Sequence, residues 1–414
     1  MAKPAHSLAD IARRVWDWAE RRDFRGSDPY DGLNSRLLAP LLARSRLLRL
    51  LTIQAVKRSP IDLRPLLWIP PGRNPKGVAL FLQGAAVHPA AATPGAAGEL
   101  GDLLLSLASL PDGRPAFGDR RPRPGLAAAL AAGEERMPPA LGWGYDFPWQ
   151  SKAFLQPAFM PTVVGTAFAA DALAMAGSPA WPVVAPAVAR FVTDHLHRHE
   201  ETAGVCFSYS PGDRTRVYNA SLFAARLLAQ AAPLVPACAA VWRDLAARAL
   251  DYVAARQRPD GAWLYGEADH WRWIDNLHTG FNLETMARTA ELLGRDDWDA
   301  AIVRGLTYYR RALFLPDGTP RYYSHRIHPL DPHSFAQGAI TFLRLERFDR
   351  NGPTMARRIL ERAVELLWDD QRGGFIFQVQ RRYRQRQIHL RWSQAWMYKA
   401  LCWYLAHADG GRLP

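Results

Sequence analysis

Residues 265–284 read YGEADHWRWIDNLHTGFNLE, and the reading of this stretch decides the fold. A turn carrying Trp271, Trp273, Asp269, Asp275, His270, Asn276 and His278 opens a run, 279–293, with Phe281, Leu283, Met286, Ala290, Leu292 and Leu293 as its apolar positions. That spacing predicts a buried helix. Aromatic and ionisable side chains gathered at the entrance to a buried helix read as a pocket wall. The Gln257-x-x-x-Gly261-x-Trp263 pattern just upstream reads as a weaker motif of the same kind.

The opening recurs. Aligned on it, apolar helices begin near Pro161 (MPTVVGTAF), Asn219 (VYNASLFAA), Asn276 (IDNLHTGFN), His333 (DPHSFAQGA) and Arg391 (LRWSQAWMY), each 57 or 58 residues after the last. A second series precedes each opening: Trp143/Tyr145, Phe207/Tyr209, Trp263/Tyr265, Tyr322/Tyr323 and Phe375/Phe377, several of them following Gly. A period of this length holds two helices and two connections, which is right for the hairpins of an α/α toroid. Amphipathic outer helices are expected over 7–22, near 98–109 or 126–132, and over 181–199, 238–257, 298–314 and 354–368. Apolar inner helices are expected over 77–87, 161–175, 218–228, 276–293, 333–345 and 389–405. Six of each close an (α/α)6 toroid, an all-α fold. The expectation is a single domain over 1–414, irregular at 23–76 and with a loop insertion near 110–125.

Composition excludes several classes. The net charge is +13, yet five basic residues alone are Lys and the rest are Arg. No dense basic cluster with interleaved aromatics stands out beyond 381–391, so no nucleic-acid partner is expected. A basic surface of this kind draws acidic glycans, phosphates or a membrane surface. Cys206, Cys238 and Cys402 are too far apart for a zinc site or a disulfide framework. The N-terminus lacks an apolar signal core and no run of 18 apolar residues exists, so a cytoplasmic setting is expected. No cofactor is expected. His278, His333, Asp275 and Asp331 have ligand chemistry without ligand spacing, so no metal is expected either.

In a toroid the turns that enter the inner helices share one face around a central funnel. Free N–H groups and the positive dipole ends there favour anions. Asp146, Asp275, His278 and His333 are the candidate acid–base groups. Trp143, Tyr145, Trp149, Tyr209, Tyr218, Asn219, Trp273, Asn276, Asp331, Arg391, Trp392 and Gln394 are the candidate binding groups. Asp28, Tyr30, Asp31 and Asn34 join them from the N-terminal turn, and Ser334 from the DPHS turn. Asp275 either caps its helix or holds the His278 imidazole for proton transfer, and Asp331-Pro-His333 repeats the arrangement one unit later. Trp and Tyr faces stack on sugar rings. Arg391 either grips an anionic group or pairs with one of these acids.

The motifs DPYDGLNS (28–35), WGYDFPWQS (143–151), FSYSPGDRTRVYNA (207–220), DGAWLYG with WIDNLHTGFNLE, DPHSFAQ (331–337) and RWSQAWM (391–397) resemble a bacterial and archaeal family of α/α-toroid proteins. That family occurs in exopolysaccharide and surface-glycan biosynthesis, so the resemblance implies a context and no catalytic role. The Gln-x-x-x-Gly-x-Trp pattern also resembles squalene and terpene cyclases, but their acidic protonation motif is missing. The leading expectation is a carbohydrate-active protein binding an acidic or phosphate-linked glycan, with hydrolase, epimerase or lyase chemistry. The alternatives are a non-catalytic glycan-binding or scaffold protein, peripherally attached to a membrane-bound polysaccharide synthesis complex, and an isoprenoid-processing toroid.

Overall fold

Apolar patterning sorts the helices into two rings. The computed structural model describes residues 6–151, 154–411 and 413. Its helices are α1 (Leu8–Glu20), α2 (Ala39–Arg44), α3 (Arg46–Arg58), α4 (Pro75–Val87), α5 (Ala96–Ser106), α6 (Leu126–Ala132), α7 (Val163–Met175) and α8 (Trp181–Arg190). They continue as α9 (Tyr218–Ala231), α10 (Pro236–Ala254), α11 (Asn276–Leu293), α12 (Asp299–Leu313), α13 (Pro332–Arg344), α14 (Gly352–Leu367) and α15 (Trp396–Ala408). Helix α4 packs on α7, α7 on α9, α9 on α11, α11 on α13, α13 on α15, and α15 back on α4. That closes an inner ring of six. Helices α1, α5, α8, α10, α12 and α14 form the outer ring, completing an (α/α)6 toroid.

The burial follows from the sequence. Every residue of α7 from Val163 to Leu173 is buried, as is every residue of α13 from Pro332 to Leu343. A helix apolar on all sides is stable only when ringed by neighbours. Outer helix α14 instead buries Met355, Ala356, Ile359, Leu360, Ala363 and Val364, one stripe at helical spacing. Each such fully buried Leu or Ile contributes roughly 1.5–3 kcal/mol. Four inner helices are opened by a side-chain cap on the same face: Asn74, Thr162, Asp275 and Asp331 accept from the amides that follow them.

The outer helix expected near 98–109 or 126–132 is α5; α6 is an extra element packed on α5 and α8. The stretch 23–76 is not wholly irregular, since α2 and α3 lie within it. Short antiparallel hairpins, such as Arg198–Glu201 with Gly204–Phe207, occupy several connections.

One contact recurs at three glycines. Gly204, Gly261 and Gly318 all have positive φ (133°, 91° and 88°). A Cβ on Gly204 would lie 2.1 Å from the Arg248 carbonyl oxygen of α10, and one on Gly261 would lie 2.5 Å from the Arg304 carbonyl of α12. A Cβ on Gly318 would lie 3.0 Å from the Arg358 backbone of α14. Each hairpin thus lays a bare glycine against the backbone of the next outer helix. Around Gly261, Gln257 Nε2 donates to the Gly261 and Ala301 carbonyls, and the buried Trp263 indole donates to Val253 O. This motif is structural. Gly261→Ala is expected to destabilise the protein by roughly 2–4 kcal/mol, from the left-handed φ and the backbone clash together. Urea unfolding measures it, and a loss below about 0.5 kcal/mol would contradict this packing account.

Candidate functional site

The inner-helix openings surround a cavity of about 490 Å³. That size suits a small ligand. Its floor is an aromatic plug from four inner helices. Phe281 lies 6.1 Å from Phe168, 5.6 Å from Phe223 and 5.6 Å from Trp396, centroid to centroid. The side walls carry Tyr30, Tyr145, Trp149, Tyr209, Tyr265, Trp273 and Trp392. Tyr265 stacks on Trp273 at 4.7 Å, and Tyr209 donates its hydroxyl to Tyr145 at 3.2 Å. Burial raises both of these last two phenols, so they stay protonated.

Asp275 does two jobs at once. One oxygen caps α11 by accepting from His278 N at 2.8 Å, and the other lies 2.7 Å from His278 Nδ1. The second oxygen also accepts from Trp273 Nε1 at 3.0 Å. A carboxylate at Nδ1 selects the tautomer with the proton there and leaves Nε2 a lone pair. His278 lines the cavity.

His333 lies on the other side of Phe281. The Phe281 ring is 5.9 Å from His278 and 5.8 Å from His333. His333 stacks on Trp396 at 4.1 Å, and neither of its ring nitrogens has a hydrogen-bond partner among the described residues. A buried polar group without a partner is costly unless a ligand or water completes it. Burial, helped by the nearby Lys76, Arg391 and His278 charges, holds this imidazole well below its usual range and therefore neutral.

Lys76, at the second position of α4, sits in the same layer. Its Nζ lies 4.1 Å above the Phe168 ring, 5.1 Å from Trp396 and 5.4 Å from Phe281. No acid lies within salt-bridge distance among the described residues. Burial and the neighbouring Arg391 and Lys399 charges push its amine well below the usual lysine range. Arg391, by contrast, is neutralised: its guanidinium donates to both oxygens of buried Asp28, at 2.6 and 2.8 Å.

The turns therefore bring together Tyr145, Trp149, Tyr209, Asn219, Trp273, Asp275, His278, His333, Arg391 and Trp392, with Tyr30. The other expected residues turn away. Trp143 is core, its indole bonded to Leu104 O. Tyr218 and Asn276 are the first residues of their helices and are buried outside the cavity, Asn276 bonding Leu313 O and the Tyr309 hydroxyl. Asp331 is fully buried, capping α13 and accepting from Trp392 Nε1 and Gln378 Nε2. Gln394 is tied to the Phe375 backbone. Ser334 is buried as well, and its hydroxyl has no partner among the described residues. Asp146 lies outside the cavity, in a small adjoining pocket with Asp28, Asp31, Asn34, Gly72 and Asn74. Asn74 Nδ2 donates to it at 2.6 Å, and a Cβ on Gly72 would strike it. Lys76, Phe281, Tyr265, Tyr322 and Tyr323 line the cavity without having been expected there. The aromatic series that precedes each opening held the signal for the three tyrosines.

Comparisons with known proteins follow the same lines. No protein-family model matches the chain, and no curated protein is significantly similar in sequence. Cellobiose 2-epimerase from Bacillus thermoamylovorans superposes with TM-score 0.54 at 11% identity, over 81% of this chain and 88% of that one. Cellobiose 2-epimerase from Spirochaeta thermophila gives 0.53 at 14%, over 82% and 86%. A possible GH105-family member from Salmonella enterica serovar Paratyphi A gives 0.56 at 13%, over 99% and 97%. The chain is thus an (α/α)6 toroid whose distant structural neighbours are carbohydrate-active enzymes. At these identities the likeness is one of fold.

Burial, reinforced by the Asp28 and Asp31 carboxylates, pushes Asp146 up to about 7 despite the Asn74 hydrogen bond. The folded chain therefore keeps this proton to higher pH than the unfolded chain, whose carboxyl titrates near 3.8. Stability falls as pH rises between those values, and the loss is complete above the folded one. Asp146→Asn removes the loss while keeping an oxygen for Asn74. It is expected to raise Tm more at about pH 8 than at about pH 5. Equal shifts at both would show an ordinary carboxylate.

Proposed function

We propose that this protein is a glycan-processing enzyme of polysaccharide biosynthesis that performs proton-transfer chemistry on an acidic or phosphate-linked sugar. The observation that carries the reading is the Asp275–His278 pair, 2.7 Å apart, with the neutral, unpartnered His333 beyond Phe281. His278, oriented by Asp275, takes the proton of an acidic C–H through Nε2. His333 is the second imidazole, and its neutral ring can donate an N–H to the developing oxyanion. A proton delivered from water to the other face inverts the centre, as in an epimerase; loss of a leaving group that takes up the proton held on His278 gives an unsaturated sugar, as in a lyase. The site supports these over hydrolysis, which ordinarily uses two carboxylates. Among the described residues Asp275 is the one acid lining the cavity. Tyr and Trp faces supply the stacking walls, and Lys76 supplies an amine with no acid of its own, which an anionic group would hold protonated; this supports an anionic substrate.

The test is a panel of uronic-acid oligosaccharides and sugar phosphates, with neutral counterparts, incubated in D2O and followed by NMR. Deuterium at a sugar C–H, an epimer or an unsaturated product is expected with an acidic member. His278→Gln is expected to slow it by roughly 10²–10⁴-fold while binding changes little. A saccharide bound without exchange by wild type and His278→Gln alike would instead identify a non-catalytic binding protein.

Lys76→Met is expected to weaken binding of the acidic sugar by roughly tenfold relative to its neutral counterpart, read by calorimetry. An unchanged ratio would remove Lys76 as the anion's partner.

A further inference from the structure

The segment 36–68 is an addition to the six-hairpin plan. Helix α3 packs on the 31–34 turn and on the strand Trp149–Gln150, beside the cavity mouth. One side of the segment is used by the protein itself. Ile53 and Val56 are buried, Arg64 pairs with Asp31 at 2.9 Å, and Lys57 Nζ donates to the Tyr30 hydroxyl at 2.6 Å.

The other side is apolar and open. Leu41, Leu47, Leu51, Ile61, Leu66 and Trp68 are 54, 65, 55, 64, 68 and 64% exposed. Among the described residues, Val241 is the one large apolar side chain elsewhere that is more than half exposed. Scattered exposed leucines need no explanation, but a concentration in one short segment marks an interaction site. Trp68 is moreover held at φ 51°, a left-handed conformation that costs energy in a non-glycine residue.

The charges around the patch identify its partner. Arg36, Arg44 and Arg58 are exposed within it, and Asp62 is the one acid between residues 36 and 68. A second copy of the chain, docked face to face, would set these arginines against themselves with almost no acid to meet them. An anionic bilayer supplies phosphates for the arginines and an acyl boundary for the leucines and the tryptophan. Among the described residues no helix is long and apolar enough to cross a membrane, so the contact is peripheral.

We infer that segment 36–68 docks the protein on an anionic lipid surface, with the cavity mouth beside the contact. This inference stands independently of the chemistry proposed above.

The test uses the full-length protein, sedimented with vesicles of phosphatidylcholine alone and of phosphatidylcholine with phosphatidylglycerol. Binding is expected to the mixed vesicles, to be several-fold weaker on phosphatidylcholine alone, and to fall with salt. The double variant Leu47→Glu/Leu51→Glu changes solvent-facing positions only, and its circular dichroism and Tm are expected to match wild type. Its partition onto mixed vesicles is expected to drop by roughly tenfold or more. Arg44→Ala/Arg58→Ala is expected to weaken binding and flatten the salt dependence. Absence of binding to mixed vesicles, or equal binding by the Leu47→Glu/Leu51→Glu variant, would overturn the proposal. So would a wild-type dimer that the glutamates dissociate, if vesicle binding were absent, since the patch would then be a contact between copies.

Discussion

Six helices that are buried on nearly every side allow few arrangements. Each must be covered by two inner neighbours and an outer partner, and a closed ring with parallel inner helices satisfies all six together. The ring fixes the rest. Parallel inner helices put all their N-termini at one mouth, where capping side chains and unpaired amides collect. The same closure fills the axis with Phe168, Phe223, Phe281 and Trp396, so the mouth has a floor and becomes a cavity rather than a channel.

That floor separates two polar layers. Above it lie Lys76, His278 and His333. Below it Lys399 faces the same rings, and Arg226 bridges Asp171 and Glu284. In the lower layer the acids pair with the cations. In the upper layer the Lys76 amine and both nitrogens of His333 lack such partners. The asymmetry sets the paired ion cluster below the floor apart from the unpartnered groups above it.

How much of this was legible depended on position within the repeat. The ring itself was plain, because the openings from Pro161 to Arg391 keep a strict period and their helices are apolar nearly all round. Asn219, His278, His333 and Trp392 were legible for the same reason. Side-chain direction was not. A residue one place along a helix turns by about 100°. So Tyr218 and Asn276, first in their helices, stay out of the cavity, while Asn219, one place on, and His278, two places on, line it. Asp146 and Trp143 stood in a turn of the right composition, but only the packing of Gly72 and Asn74, and of Leu104, shows where they point. Lys76 was hidden because the inserted loop and α6 between α5 and α7 break the period before it reaches α4.

The proposed chemistry rests on an oriented imidazole and a neutral one at the mouth. Proton-detected ¹⁵N spectra of the histidine rings across pH test it most directly. The account predicts that His278 carries its proton on Nδ1 in the neutral form, and that His333 stays neutral well below the ordinary histidine range. A His278 protonated on Nε2, or a His333 that titrates as a solvent-exposed histidine does, would contradict it.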